Sequence, residues 1–225
     1  MKIHVIIVAG GSGSRFGSDV PKQYCLLAGK PVVMHAIGRF RSALPGTGIT
    51  LVVAPEMHGY WNELCEQYGF DSPAVVHGGA SRSDSVRNAV LSLPEVPDVI
   101  MVHDGARPLV SASVIEGVLH AMKNEAVDGA IPAVAVTDSL RYGDSAEETK
   151  AVDRSLYHAV QTPQAFRGRH LVDAYRNNKQ NFSDDASLME HCGRTRIVLT
   201  TGSTDNIKIT NPKDLAVAGV LMAGE

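Results

Sequence analysis

The residues most able to do chemistry stand together near the start of the chain: Arg15 and Lys22, just after Gly10-Gly11-Ser12-Gly13-Ser14. Backbone amides in such a loop can close on an anion because no side chains intervene. Two separated cations beside those amides suit a triphosphate whose charge must be neutralised while one P–O bond breaks. Spacing excludes two familiar phosphate loops. A Walker A loop needs Gly-Lys-Ser/Thr, and here Gly29-Lys30 is followed by Pro31. A dinucleotide fingerprint beginning at Gly11 would place its third glycine where Phe16 stands, and Pro21 interrupts the helix that should follow. Taken alone, the loop is still compatible with a solvated turn carrying surface charges.

Further candidates close other apolar runs. His103-Asp104 ends the run Val99-Ile100-Met101-Val102. An aspartate there is able to cap the next turn. His103 reads as structural, since nothing else near it suggests proton transfer. His4, His35, His58 and His77 form no metal-type spacing. Gly78-Gly79 and Ser81-Arg82-Ser83-Asp84-Ser85 follow a short apolar run and open a helical pattern. Ser81 fits an N-cap, and Arg82 fits a phosphate contact and the surface equally well.

These side chains need elements to hold them. Ile3 and Val5 to Ala9 form the near-continuous apolar run of a central parallel strand buried on both faces. Spacing predicts strands over 49–54, 74–76, 99–102, 129–136, 196–200 and 207–209. It predicts helices over 32–40, 56–68, 111–124, 168–178 and 184–192, one after Ser81, and a last one from Pro212 to Gly224. This alternation implies an α/β fold with a Rossmann-like, mostly parallel sheet flanked by helices and ligands at the strands' carboxyl ends. Residues 137–160 break the rhythm. Thr137 to Arg141 and Val152 to Leu156 flank a polar turn at Gly143-Asp144-Ser145. A long structureless loop is uncommon in a compact domain, so the two extended flanks read as a projecting hairpin, with a surface loop as the alternative.

Composition narrows the classes. A chain of 225 residues can bury roughly 70% of its unfolded surface as one domain. A net charge of -3 argues against a nucleic-acid surface while permitting a local basic pocket. No apolar stretch approaches membrane-spanning length, and Met1-Lys2 leads directly into the first strand without a signal peptide, so no membrane and a cytoplasmic location are expected. Cys25, Cys65 and Cys192 are odd in number and widely spaced, which fits reduced, buried thiols.

The block Ala9-Gly10-Gly11-Ser12-Gly13-Ser14-Arg15-Phe16-Gly17 with Pro21-Lys22-Gln23-Tyr24 resembles the signature of sugar-phosphate nucleotidyltransferases. It matches the Pro-Lys-Gln variant of the cytidylyltransferases that serve isoprenoid-precursor and polyol-phosphate metabolism. The resemblance runs through His103-Asp104-Gly105-Ala106-Arg107-Pro108, Val152-Asp153-Arg154, Gln161-Thr162-Pro163-Gln164 and Asp205-Asn206-Ile207-Lys208. It implies CTP as donor, bound by Ala9, Gly10, Gly11, Gly13, Gly79 and Ser85. It implies Arg15, Lys22, Arg154 and Lys208 as catalytic cations, with Arg107, Ser139 and Thr162 binding the acceptor. Ser139 stands where the family usually has threonine; the hydroxyl is retained. Asp104 and Asp205 would bind Mg²⁺ or another divalent cation. The arm at about 137–160 would embrace a second subunit, making a homodimer, and the chain would be one domain without the cyclase fused in some relatives. Acceptor contexts favour a methylerythritol phosphate, with ribitol 5-phosphate as the alternative. A non-catalytic nucleotide-binding subunit is the competing class, opposed by the joint presence of Arg15, Lys22, Asp104 and Lys208.

Overall fold

The fold is described by a computed structural model covering residues 1–11, 20–145 and 147–224. The chain runs through β1 (Ile3–Ala9), a 3-10 turn at Lys22–Tyr24, β2 (Leu26–Leu27), β3 (Lys30–Pro31), α1 (Val32–Ala43), β4 (Gly48–Val53), α2 (His58–Tyr68) and β5 (Ala74–His77). Next come α3 (Arg82–Ser92), β6 (Val99–Asp104), α4 (Ala112–Ala121), β7 (Gly129–Ala135), β8 (Arg141–Tyr142) and β9 (Lys150–Ala151). The last part holds β10 (His158–Val160), β11 (Gln164–Arg167), α5 (Gly168–Asn177), α6 (Asp185–His191), β12 (Ile197–Thr201) and α7 (Pro212–Ala223).

β1 sits centrally because its residues feed two apolar layers in alternation. Val5, Ile7 and Ala9 pack with α1, α2 and α4 through Met34, Ile37, Phe40, Trp61 and Ile115. Ile6 points the other way, into a layer built from Val86 and Ala89 of α3, Leu171 and Tyr175 of α5 and Leu188 of α6. Each fully buried aliphatic side chain of this kind contributes on the order of 1.5–3 kcal/mol. That explains the unbroken apolar run: a strand covered on both faces has no solvent side.

The order β5-β4-β1-β6 is parallel throughout, as the βα rhythm predicts. Register then sets Val8 beside Asp104 and Ala9 beside Val53, so the strand ends that carry candidate residues open on one edge. Beyond β6 the sheet departs from simple alternation. β11 inserts antiparallel between β6 and β7, β12 joins β7 in parallel, and β10 pairs antiparallel with the last residues of β7.

Local capping follows the sequence. Ser81 accepts from the Asp84 amide, Ser111 from Val114, Asp184 from Ser187, and Asn211 forms a reciprocal box with Asp214; such caps stabilise by typically about 1 kcal/mol each. Gly224 follows the last helix, as expected. Residues 137–160 do contain a hairpin, with β8 and β9 antiparallel and Arg141 of one flank bonded to Thr149 of the other.

Two expectations are corrected. Residues 207–209 are not a strand. Ile209 donates one backbone bond to Ala106, and its side chain is enclosed with Leu27, Val32, Leu109 and Ala218, so side-chain burial rather than a ladder explains the apolar pattern. The three cysteines are free, but half-buried rather than buried.

Candidate active site

The carboxyl ends of β1, β4, β5 and β6 surround a cavity of about 690 Å³. Ala9, Gly10 and Gly11 line it after β1, Gly79 to Arg82 and Ser85 after β5, and Asp104 after β6, with Lys22 and Lys208 also in the wall. A second hollow of about 760 Å³, lined by Met1, Asp98, Arg167 and His170 among others, lies at the opposite ends of β1 and β6 and contains none of the candidates. The chemistry gathers in the first.

Gln23 shapes the entrance. It is buried, and its side-chain amide donates to the carbonyl oxygens of Ala9 at 2.7 Å and Gly11 at 2.9 Å. This ties the end of β1 to the turn bearing Lys22, so amides and cation approach one space. Across the cleft, the Ser85 hydroxyl accepts from the Gly79 amide at 3.0 Å. A Cβ on Gly79 would lie 2.4 Å from Cβ of Asp84, a distance that only glycine avoids without moving the helix start. Gly13 and Arg15 lie outside the described residues.

Asp104 is the electrostatic centre. Its carboxylate is 2.8 Å from Lys208 Nζ, 3.4 Å from Arg82 Nε and 3.7 Å from Arg107 Nε. Burial would raise its pKa, but the attraction of Arg82, Lys208 and Arg107 outweighs this and holds the group well below the usual carboxylate range. It is therefore an anion at neutral pH. Its backbone is fixed as well: the Asp104 amide donates to Thr162 Oγ1 at 3.0 Å. His103 Nε2 lies 3.0 Å from the Arg107 carbonyl and Nδ1 lies 3.1 Å from Thr162 Oγ1. A carbonyl can only accept, so Nε2 carries the hydrogen, and burial pushes the ring down to about 4. Neutral His103 then takes the Thr162 hydroxyl hydrogen on Nδ1, leaving Thr162 oxygen to accept from Asp104. His103 is structural, as its sequence context indicates, and its work is to orient Asp104.

The sequence candidates thus divide. Ala9, Gly10, Gly11, Lys22, Gly79, Ser85, Asp104 and Lys208 line one cleft. Arg107 and Thr162 support Asp104 from beside it; Arg107 also donates to the Asn206 carbonyl at 2.7 Å. Ser139, Arg154 and Asp205 are exposed and outside the lining, and Arg154 donates to the Thr137 carbonyl within its own arm. Sequence reading assigned no role to Gln23 and left Arg82 undecided. The Pro-Lys-Gln block already marked the former, whereas Arg82 needed the fold to bring Asp104 to it.

Among the described residues no three His, Cys, Asp or Glu groups converge on one point. Ionised Asp104, in a cation-rich cleft that Glu56 also lines, still fits Mg²⁺, which draws most of its oxygens from phosphate and water.

Glycines and clustered cations at the carboxyl edge of parallel strands, within a mostly parallel sheet, are the arrangement of a nucleotide-binding α/β protein suited to phosphate transfer. The sequence profile of the 2-C-methyl-D-erythritol 4-phosphate cytidylyltransferases matches residues 3–224, and the chain belongs to that family. It is 45% identical to the Porphyromonas gingivalis protein of that name over 98% of each chain. Identity to the Bacteroides thetaiotaomicron protein is 42%, covering 99% of this chain and 100% of the other. Among solved structures, Francisella tularensis 2-C-methyl-D-erythritol 4-phosphate cytidylyltransferase superposes with a TM-score of 0.79 at 29% identity, over 98% of this chain and 100% of that one.

Proposed function

We propose that the protein transfers the cytidylyl group of CTP to 2-C-methyl-D-erythritol 4-phosphate, giving 4-diphosphocytidyl-2-C-methyl-D-erythritol and pyrophosphate, as a cytoplasmic single-domain enzyme of isoprenoid precursor synthesis. The observation that carries this reading is the meeting of Lys22, Arg82 and Lys208 with Asp104 in one cleft at the strands' carboxyl edge, within a chain matched to the family over nearly its whole length. Family membership extends the reading to the base, read at Gly79 and Ser85, and to the acceptor.

In this reaction an oxygen of the acceptor phosphate attacks the α-phosphorus of CTP, and the bond from that phosphorus to the pyrophosphate oxygen breaks. The attacking phosphate is already anionic at neutral pH, so no general base is needed. What remains is in-line positioning and charge stabilisation. Glycine-loop amides with Arg15 and Lys22 bind the triphosphate and stabilise charge on the five-coordinate phosphorus. Lys208 and Arg154 aim the acceptor phosphate, helped by Arg107 and Ser139. Mg²⁺ held by Asp104 would supply further neutralisation of the phosphate charge. Among the described residues no helix is long and apolar enough to cross a membrane.

Ser139 and Arg154 ride on the arm, away from their own cleft, which supports a homodimer in which each arm completes the partner's acceptor pocket. Tyr142, Leu156 and Tyr157 are exposed apolar groups on this segment. A two-stranded ribbon with such a surface is marginal unless it packs on something.

Pyrophosphate release with CTP, Mg²⁺ and each acceptor in turn tests the reading. Release is expected with 2-C-methyl-D-erythritol 4-phosphate. Equal or faster release with ribitol 5-phosphate would reassign the acceptor, and silence with both would replace transfer by nucleotide binding alone.

A further inference from the structure

Behind the cleft stands a buried carboxylate that the reaction described above does not use. Arg82, the first residue of α3, donates from Nε to Asp104 Oδ1 at 3.4 Å and from Nη2 to Asp185 Oδ2 at 2.9 Å. Asp185, the first residue of α6, is 0% exposed, and its other oxygen accepts the Tyr175 hydroxyl hydrogen. The start of α6 is itself pinned to the sheet. Gln164 of β11 accepts from the Ala186 amide at 3.2 Å and donates to Asp184 at 2.8 Å, while Leu188 and Met189 are buried in the apolar layer beneath. Asp185 is therefore fixed, and Arg82 is the group that must come to it.

We infer that Asp185 is a positioning residue for the proposed transfer: it holds the Arg82 guanidinium in the cleft floor, and Arg82 in turn holds Asp104 in the place where the nucleotide phosphates meet it. The inference rests on the cytidylyl-transfer reading. Two features set this chain of groups apart from a packing device. The Asp185 side chain is enclosed and that of Arg82 is 25% exposed; an ion pair rooted in the core in this way gives little net stability over well-packed apolar residues, so stability alone does not call for it. The guanidinium also spans two carboxylates from different elements, which its planar set of donors can do and a lysine ammonium cannot do in the same geometry. One end of the chain is in the core and the other is in the reactive cleft.

The test is a double-mutant cycle on the full-length protein with Asp185→Asn, which keeps the shape and an acceptor for Tyr175, and Arg82→Lys. Asp185→Asn is expected to lower kcat by about ten- to a hundredfold with KM for CTP changed by less than about threefold, the pattern of a displaced reacting geometry. Arg82→Lys should do the same, and the double variant should be no worse than the poorer single within about twofold, because both act through one contact. The arginine Nε–H resonance of Arg82, assigned by its loss in Arg82→Lys, should be sharp in the unmodified protein and broadened in Asp185→Asn. Unchanged kcat in either single variant with only a lowered Tm, or losses that multiply in the double variant, would overturn the inference. So would an Arg82 resonance as sharp in Asp185→Asn as in the unmodified protein. If the unmodified protein releases no pyrophosphate while the resonance behaves as expected, the transfer reading fails and the hold of Asp185 on Arg82 stands.

Discussion

Lys22 and His103 illustrate how differently two residues can serve one site. Lys22 borders the cavity itself, and its charge counts most when negative charge builds on the phosphates in the transition state. Lys22→Ala is accordingly expected to lower kcat by about a hundredfold or more while KM for CTP moves much less; steady-state kinetics with calorimetric CTP binding check this, and lost binding at retained kcat would reverse the role. His103 never reaches the cavity. Enclosed and neutral, it has a pKa pushed by burial from 6.5 to about 4. Between those values the unfolded chain takes up a proton that the folded protein refuses, so stability declines as pH falls through this window and the deficit levels off below it, to roughly 3 kcal/mol. Asp104, also lowered but held as the charged form, keeps its contribution to stability above the ordinary carboxylate pKa and loses it only at lower pH. His4 and His35 are also lowered, mainly by burial, so the comparison must be with a variant. Urea unfolding at pH 7 and pH 4.5 should show His103→Asn losing at least about 1 kcal/mol less than the unmodified protein across that interval. Parallel losses would place the acid sensitivity elsewhere.

At the scale of elements, the ribbon of the arm stands apart from the main sheet among the described residues. β8 and β9 are two residues each and exposed, and they pair only with each other. Shortening the turn between Arg141 and Lys150 leaves the cleft lining intact, because that lining comes from the ends of β1, β4, β5 and β6 with Lys22, Lys208 and Thr210. The expected result is a weaker dimer by analytical ultracentrifugation and a KM for the sugar phosphate that rises more than that for CTP. Equal effects on both substrates would detach the arm from acceptor binding.

For the molecule as a whole, the question is whether one chain makes one site. Ser139 and Arg154 are exposed on the arm, while Lys22 and Asp104 lie in the cleft. An inactive Lys22→Ala chain mixed with an inactive Arg154→Ala chain should regain activity if Arg154 works in the partner. Random pairing gives roughly a quarter of sites intact. No recovery from mass-verified mixed dimers would return Arg154 to its own subunit or remove it from the site.

The sequence by itself determined the parts whose signals are local. An apolar run from Val5 to Ala9 marks a strand covered on both faces, and Ser81 caps a helix through its neighbour three residues on; the glycines after the strand left a close-approach loop and a solvated turn both open. Asp104 at the end of such a strand was placed for the same reason. Tertiary structure decided what depends on distant partners. β11 runs antiparallel because of how the chain returns from the arm, which no period in Gln164 to Arg167 records. Thr162 supports Asp104 across 58 positions and Arg82 meets Asp185 across 103. Periodicity reports which face of an element is apolar. It does not report which polar group of another element will be waiting when a charge is buried, and there the folded chain alone supplies the answer, since each buried charge is stable only where its partner has been brought to it.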